Sequence, residues 1–314
     1  MTVLLDVLLI AVSFLFLWKG AQWLVESAAR IARRLGVSEL VIGLTVVAFG
    51  TSAPEFAVSV SAALRGEAAV SVGNVVGSNI FNIGFILGGC GLVGAIRTSR
   101  HIVWRDGGIL LVTTVALLGM FANGRVDRWE GVLLVAALAA YLLLLFRKKE
   151  VVIEEEIPTE PAHWWDLPLL LLGLGFVIGG AHLLVFAASN LAQRGGMSPW
   201  AIGMTVVAAG TSIPELVVSF VAILKGRHGI SAGNLVGSNI FNTLGVLGVA
   251  GVIQLPAHPL NVDSAAFTSV ALLVVLTLAV MVFMRTGWRV SRWEGAVLLV
   301  GGLAMWIHTL MAGR

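Results

Sequence analysis

Two glutamates, Glu55 and Glu215, lie 160 residues apart in matching surroundings, "GTSAPE" and "GTSIPE". A threonine stands four residues before each, Thr51 and Thr211, and positions i and i+4 share one face of a helix. Nineteen residues after each glutamate begins a second repeated motif, "NVVGSNIFN" and "NLVGSNIFN". It carries Asn74, Ser78 and Asn82 in the first copy and Asn234, Ser238 and Asn242 in the second, in steps of four. Carboxylates, hydroxyls and carbonyl oxygens together make a hard oxygen site for a cation. Such a set suits Ca2+, which takes about six to eight oxygens in flexible geometry, better than Mg2+, which holds its water and prefers a small octahedron.

These polar residues stand in apolar sequence. The chain of 314 residues is 58% hydrophobic and only 12% charged, against roughly 25% charged in soluble domains. Stretches long enough to cross a bilayer core of ~30 Å occur near 3–26, 37–65, 69–95, 102–122, 130–146, 166–192, 198–224, 230–254, 264–284 and 293–311. All ten read as helices, because an isolated strand leaves backbone groups unpaired in lipid. The fold class expected is thus an all-α polytopic membrane protein. A carboxylate at the centre of such a span costs ~2.5–3.5 kcal/mol on insertion scales, and intramembrane ionisable groups are functional by default. No Lys or Arg is repeated beside the glutamates to make them a structural ion pair.

The two motif regions align without gaps, residues 43–88 on 203–248, with 27 of 46 positions identical. "RWEG" recurs at Arg128 and Arg292, each opening the last span of its half. Five spans per half is an odd number, so the second half enters the membrane from the opposite side, giving an inverted repeat of the kind found in transporters. The expected organisation is a first five-helix repeat over 1–147, a cytoplasmic linker over 148–163 and an inverted repeat over 164–314. With the N-terminus outside, fourteen Lys and Arg fall on the cytoplasmic side and five on the other, with Lys19 set near the cytoplasmic end of the first span. Pro54 and Pro214 each follow a glycine by four residues, so each is expected to free that glycine's carbonyl and break its helix. Broken helices at membrane depth are tolerated where they line a polar cavity. Two of them, of opposite polarity, bring Glu55 and Thr51 opposite Glu215 and Thr211.

Other chemistry is excluded or weak. Cys90 is the lone cysteine, so there is no intramolecular disulfide, and no Cys/His cluster points to zinc. There is no HExxH pair. The basic pI follows from topology rather than from nucleic-acid binding. The chain opens "MTVLLDVLLI", with Asp6 and no early Lys or Arg, so the first span is expected to be retained rather than removed as a signal.

With these motifs in place, the sequence resembles the alpha repeats of the calcium/cation antiporter superfamily, closest to its prokaryotic sodium/calcium exchangers. That resemblance implies an antiporter, not an enzyme, without a cofactor, carrying Ca2+ and Na+ through an inner membrane, with H+ as the alternative driving ion. It implies that Glu55 and Glu215 are shared Ca2+ and Na+ ligands, joined by Thr51 and Thr211. Ser78 and Ser238, with the carbonyls of Ala48 and Ala208, match flanking Na+ sites. Asn82 and Asn242 match a central pair that includes Asp in some relatives. No obligatory protein partner and no nucleic acid is implied. A cation channel is the rival class, but channels take their axis along the membrane normal, whereas the odd span count puts it in the membrane plane.

Overall fold

The computed structural model describes residues 3–147, 163–197, 202, 206, 208–254 and 259–312. The expected linker, apart from His163, lies outside the described residues, as does most of the segment leading into the second "GTSIPE". The chain forms helices α1 (Val3–Leu35), α2 (Glu39–Thr51), α3 (Ala53–Leu64), α4 (Ala68–Val93), α5 (Ile102–Phe121) and α6 (Arg128–Arg147). These are followed by α7 (Asp166–Arg194), the short α8 (Ala208–Gly210), α9 (Ile213–Leu224), α10 (His228–Ile253), α11 (Ser264–Arg285) and α12 (Arg292–Ala312). Among the described residues seven helices are long and apolar enough to span a membrane, or eight if the bent pair α2–α3 is one span. Helix α1 continues to Leu35, well past residue 26, so exposed Lys19 sits near its middle rather than near its cytoplasmic end.

The sequence accounts for these boundaries. Ser38 caps α2 by accepting from the Val41 N–H at 3.3 Å, and Asp263 caps α11 by accepting from Ala266 N–H at 2.7 Å. The two "RWEG" motifs are helix starts. Glu130 Oε2 accepts from Asp127 N–H at 2.8 Å and Glu294 Oε2 from Ser291 N–H at 2.7 Å, the backward reach of a capping box. The glycine that follows each, Gly131 or Gly295, serves close packing. A Cβ on Gly131 would meet the Gly248 carbonyl oxygen at 2.7 Å, and one on Gly295 would meet that of Gly88 at 2.7 Å. Helix α6 thereby packs on α10, and α12 on α4.

Helices α1 and α7 lie side by side. A Cβ on Gly20 would sit 2.7 Å from the Gly173 carbonyl oxygen, while Gly180 faces Leu17, so the contacts run in opposite order and the helices are antiparallel. An ion pair closes each end of this pair. Arg30 Nε holds Asp166 at 2.7 Å, and Arg194 Nε lies 3.3 Å from Asp6, which also accepts from Asn190 Nδ2 at 3.2 Å. Two short ladders, β1 (Ile96–Arg97) with β4 (Arg289–Val290) and β2 (Arg125–Val126) with β3 (Leu260–Asn261), join the halves again. β3 lies 164 residues after β1, and β4 lies 164 after β2, so one ladder is the repeat image of the other.

Candidate ion site

Pro54 falls in the first turn of α3, where its missing N–H has no helical partner to lose. The break comes at Ser52, two residues beyond Gly50, and bends α2 from α3 by 49°. Ser212 stands at the equivalent joint before α9, with Pro214 in that helix's first turn. Both glutamates therefore occupy the first turn of a helix whose N–H groups point toward the break, a position that favours negative charge.

The two breaks face each other. Ser52 Oγ donates to Glu215 Oε1 at 2.9 Å, and Ser212 Oγ donates to Glu55 Oε1 at 2.9 Å. Each serine thus reaches across to the other half's carboxylate. Ser78 and Ser238 approach the glutamate of their own half, each with Oγ 3.5 Å from Oε1. Asn74 and Asn234 hold the backbone beneath: their Nδ2 groups contact the carbonyls of Glu55 and Glu215 at 3.2 and 3.4 Å, and Ser59 and Ser219 Oγ at 2.9 Å each. Thr51 Oγ1 donates to Asn234 Oδ1 at 3.0 Å.

Both glutamates are 0% exposed, and the outer oxygen of each, Oε2, has no hydrogen-bond donor. Buried polar atoms normally have partners. Two carboxylate oxygens without donors, set among hydroxyls, make an oxygen-rich cluster whose donor set suits a cation. Asn82 and Asn242, also 0% exposed, lie where α4 and α10 widen into π-helical turns, Asn82–Leu87 and Phe241–Val246, a distortion frequent at functional sites. Neither polar side-chain atom of Asn82 has a partner, nor has Asn242 Oδ1, although Asn242 Nδ2 donates to Asn79 Oδ1 at 3.2 Å. Ala48 lies in the last turn of α2, where its carbonyl accepts from Thr51 Oγ1 at 3.3 Å, and Ala208 begins α8. Thr211 is half-buried between α8 and α9.

Of the sequence-derived residues, hydrogen bonds gather Glu55, Glu215, Thr51, Ser78 and Ser238 in one cluster, with two additions. Ser52 and Ser212 were absent from the expected ligand set. Their signal was present in the identical "TS" of both motifs, but nothing in one strand of sequence tells that a side chain will cross to the opposite half. Asn79, with Nδ2 2.9 Å from Thr243 Oγ1, is the second addition and ties α4, just before its π-helical turn, to the π-helical turn of α10. Hydrogen bonds to charged groups contribute about 1.5–3 kcal/mol. Ser52→Ala and Ser212→Ala are therefore each expected to raise the half-saturating Ca2+ concentration roughly tenfold while leaving the maximal rate within a few-fold, read from the concentration dependence of Ca2+ uptake.

A buried, paired-carboxylate site at the junction of broken membrane helices defines a cation transporter. A profile of the sodium/calcium exchanger protein family matches residues 5–147 and 165–303. The sodium/calcium exchanger MaX1 of Methanosarcina acetivorans is 33% identical over 337 residues, covering 93% of this chain and 95% of its own. The inner membrane protein YrbG of Escherichia coli is 32% identical over 324 residues, covering 98% and 97%. Among solved structures, the sodium-calcium exchanger NCX_Mj soaked with Na+ and Ca2+ superposes with a TM-score of 0.86 at 30% identity over all of both chains. The chain belongs to the sodium/calcium exchanger protein family. It is a multi-pass membrane antiporter rather than an enzyme, of a family that carries Ca2+ and Na+ without a cofactor.

Proposed function

We propose that the protein exchanges one Ca2+ for several Na+ by alternating access to a single site built on Glu55 and Glu215. The observation that carries this reading is the reciprocal pair of hydrogen bonds, Ser52 to Glu215 and Ser212 to Glu55, which leaves one oxygen of each buried carboxylate without a donor. Two carboxylates balance one Ca2+, and two Na+ balance the same charge. A third Na+ makes the exchange electrogenic. Thr51, Thr211, Ser78, Ser238 and the carbonyls of Ala48 and Ala208 complete the ion shells, and Asn82 and Asn242 line the centre.

This reading takes the chain as ten spans in two inverted repeats, 1–147 and 164–314, with both ends outside, the 148–163 linker cytoplasmic and the protein in the inner membrane. The antiparallel α1–α7 pair and the two image-related ladders support it. The α12 helix and the break before α9 supply the spans beyond the eight counted above. The test is Ca2+ uptake by reconstituted vesicles under an outward Na+ gradient at equal, clamped pH. Uptake is expected with Na+. Flux only with a proton gradient would transfer the protein to H+/Ca2+ exchange, and ion flow without counter-ion coupling would make it a channel. In the same vesicles K+ is expected to be dispensable, because Asn82 and Asn242 are both neutral where K+-dependent members of the superfamily add a carboxylate. Loss of uptake when K+ is replaced by an inert cation would overturn that expectation.

A further inference from the structure

Helices α1 and α7 leave one face of their pair to the lipid, and on α1 that face carries Leu8, Val12, Leu15 and Lys19, all exposed. The depth of Lys19 follows from the ion pairs that close the two ends of the pair, Asp6 with Arg194 and Arg30 with Asp166. Lys19 stands thirteen residues from Asp6 and eleven from Arg30. At a rise of ~1.5 Å per residue it is within a few ångström of the middle of the span. A lysine at the centre of a bilayer is costly, and such residues pair with a partner or mark a functional site. Its four-carbon stem reaches the interface from near a helix end, not from the middle. Lys19 has no hydrogen bond or ion pair with any described residue. Its repeat counterpart, 160 residues on, is Gly179, so no structural role shared by the two helices calls for a lysine.

The surroundings of Lys19 suit a helix. Gly20 packs against Val177 and Gly180 against Leu17, which sets Lys19 level with Gly179 across the pair. Gly175 and Gly179 are exposed, and a Cβ built on either meets nothing within 4 Å, so a further helix can bring its backbone close to α7. Half-buried Gln22 and exposed His182, each about a turn from this level, add hydrogen-bonding groups at similar depth. Charge decides what the helix must carry. A lipid headgroup stays at the interface, out of reach of the middle of the span. A second copy of this chain offers no carboxylate, because Glu55 and Glu215, the acidic residues at mid-depth, are 0% exposed, and it would set one Lys19 at the depth of another.

We propose that the lipid-facing side of the α1–α7 pair, centred on Lys19, docks a transmembrane helix of another protein that carries an Asp or Glu near its middle. Opposite charges attract far more strongly at that depth than in water, and each removes the other's need for a solvent that the bilayer core does not supply. The inference requires only that α1 spans the membrane, and it stands apart from the ion site.

The test uses the full chain in phosphatidylcholine liposomes with a synthetic polyleucine helix that carries one central Glu, and the same helix with a central Gln, each bearing an energy-transfer acceptor for the protein's tryptophans. The Glu helix is expected to bind the unmodified chain about tenfold more tightly than the Gln helix. Lys19→Leu is expected to remove that preference without lowering thermal stability, and Lys19→Glu is expected to transfer it to a helix with a central Lys. Moving the glutamate two turns from the centre of the synthetic helix is expected to abolish the preference. Equal binding of the Glu and Gln helices to the unmodified chain overturns the proposal, as does a preference that survives Lys19→Leu. Self-association of the unmodified chain that Lys19→Leu disperses also overturns it, because the occupant is then a second copy. Energy transfer is read without ion flux, so absence of Na+-driven Ca2+ uptake counts against the transport reading alone.

Discussion

Glu55→Gln and Glu215→Gln are each expected to abolish Ca2+ transport, lowering uptake by a factor on the order of 10² or more, while the protein remains folded. Glutamine keeps the shape and one carbonyl oxygen but removes half the charge that balances a divalent ion. At an effective dielectric near 20, a unit charge ~4 Å from a divalent ion is worth about 8 kcal/mol in gross attraction. Dehydration of ion and carboxylate offsets most of this, and a residue of a few kcal/mol already exceeds a hundredfold in binding. Folding follows the opposite sense. Both carboxylates are 0% exposed and face each other across the breaks, so replacing one relieves a buried repulsion and leaves Ser52 or Ser212 an amide oxygen to donate to. Radiolabelled Ca2+ uptake and thermal unfolding of the same preparations provide the check. Near-normal flux in either variant would remove that glutamate from the site, and a sharp fall in thermal stability would make its role structural.

The second large effect is expected where α4 crosses α12. A Cβ built on Gly84 falls 2.5 Å from the Cα of Gly302, and one built on Gly302 falls 2.4 Å from the Cα of Gly84. The obstacle is backbone on both sides, so no rotamer change can make room. Gly84→Val must part the helices, and overpacking of this kind costs typically about 1–3 kcal/mol. The displacement also reaches the ion site, because Gly84 lies within the π-helical turn that starts at Asn82. Lower thermal stability and lower Ca2+ uptake are expected together. The neighbouring Gly301, with nothing within 4 Å of an added Cβ, is the control. Gly301→Ala is expected to be neutral or to stabilise by up to about 1 kcal/mol, as alanine does for glycine in a helix. Equal damage from both substitutions would mean that α12 tolerates no change there, and the close crossing would not be the cause.

Much of this was legible in the sequence because duplication works as an internal experiment. Glu55 and Glu215 stand out against apolar surroundings whose cost for charge is known, and their recurrence at a fixed offset removes coincidence. The "RWEG" repeats were legible as helix starts, and the structure adds what two of the four letters do: the glutamate reaches back to the helix entry, and the glycine lets a neighbouring backbone approach. Three things were not legible. The break fell at Ser52 rather than at Gly50, since proline sits comfortably in a first helical turn and moves the joint upstream of itself. The cross-half serines depend on tertiary pairing, which spacing along one strand of sequence does not encode. The length of α1 was underestimated because hydropathy falls at Glu26 and Arg30, whereas the helix continues, its charges paired with Lys225 and Asp166.

The way the halves interlock also governs how the protein can be made. Helices α1, α5 and α6 find their main helical neighbours in α7, α11 and α10, all of which are synthesised later. When residues up to Arg147 have entered the bilayer, Gly20, Gly88 and Gly131 still turn bare backbone toward lipid, because the residues that pack against them have yet to be translated. In the emerging amino-terminal half α3 already packs on α4, while α1 waits for α7, α5 for α11 and α6 for α10. A ribosome that stalls beyond the linker leaves in the membrane not a smaller transporter but an open assembly intermediate, the kind of species that membrane quality control must recognise and clear.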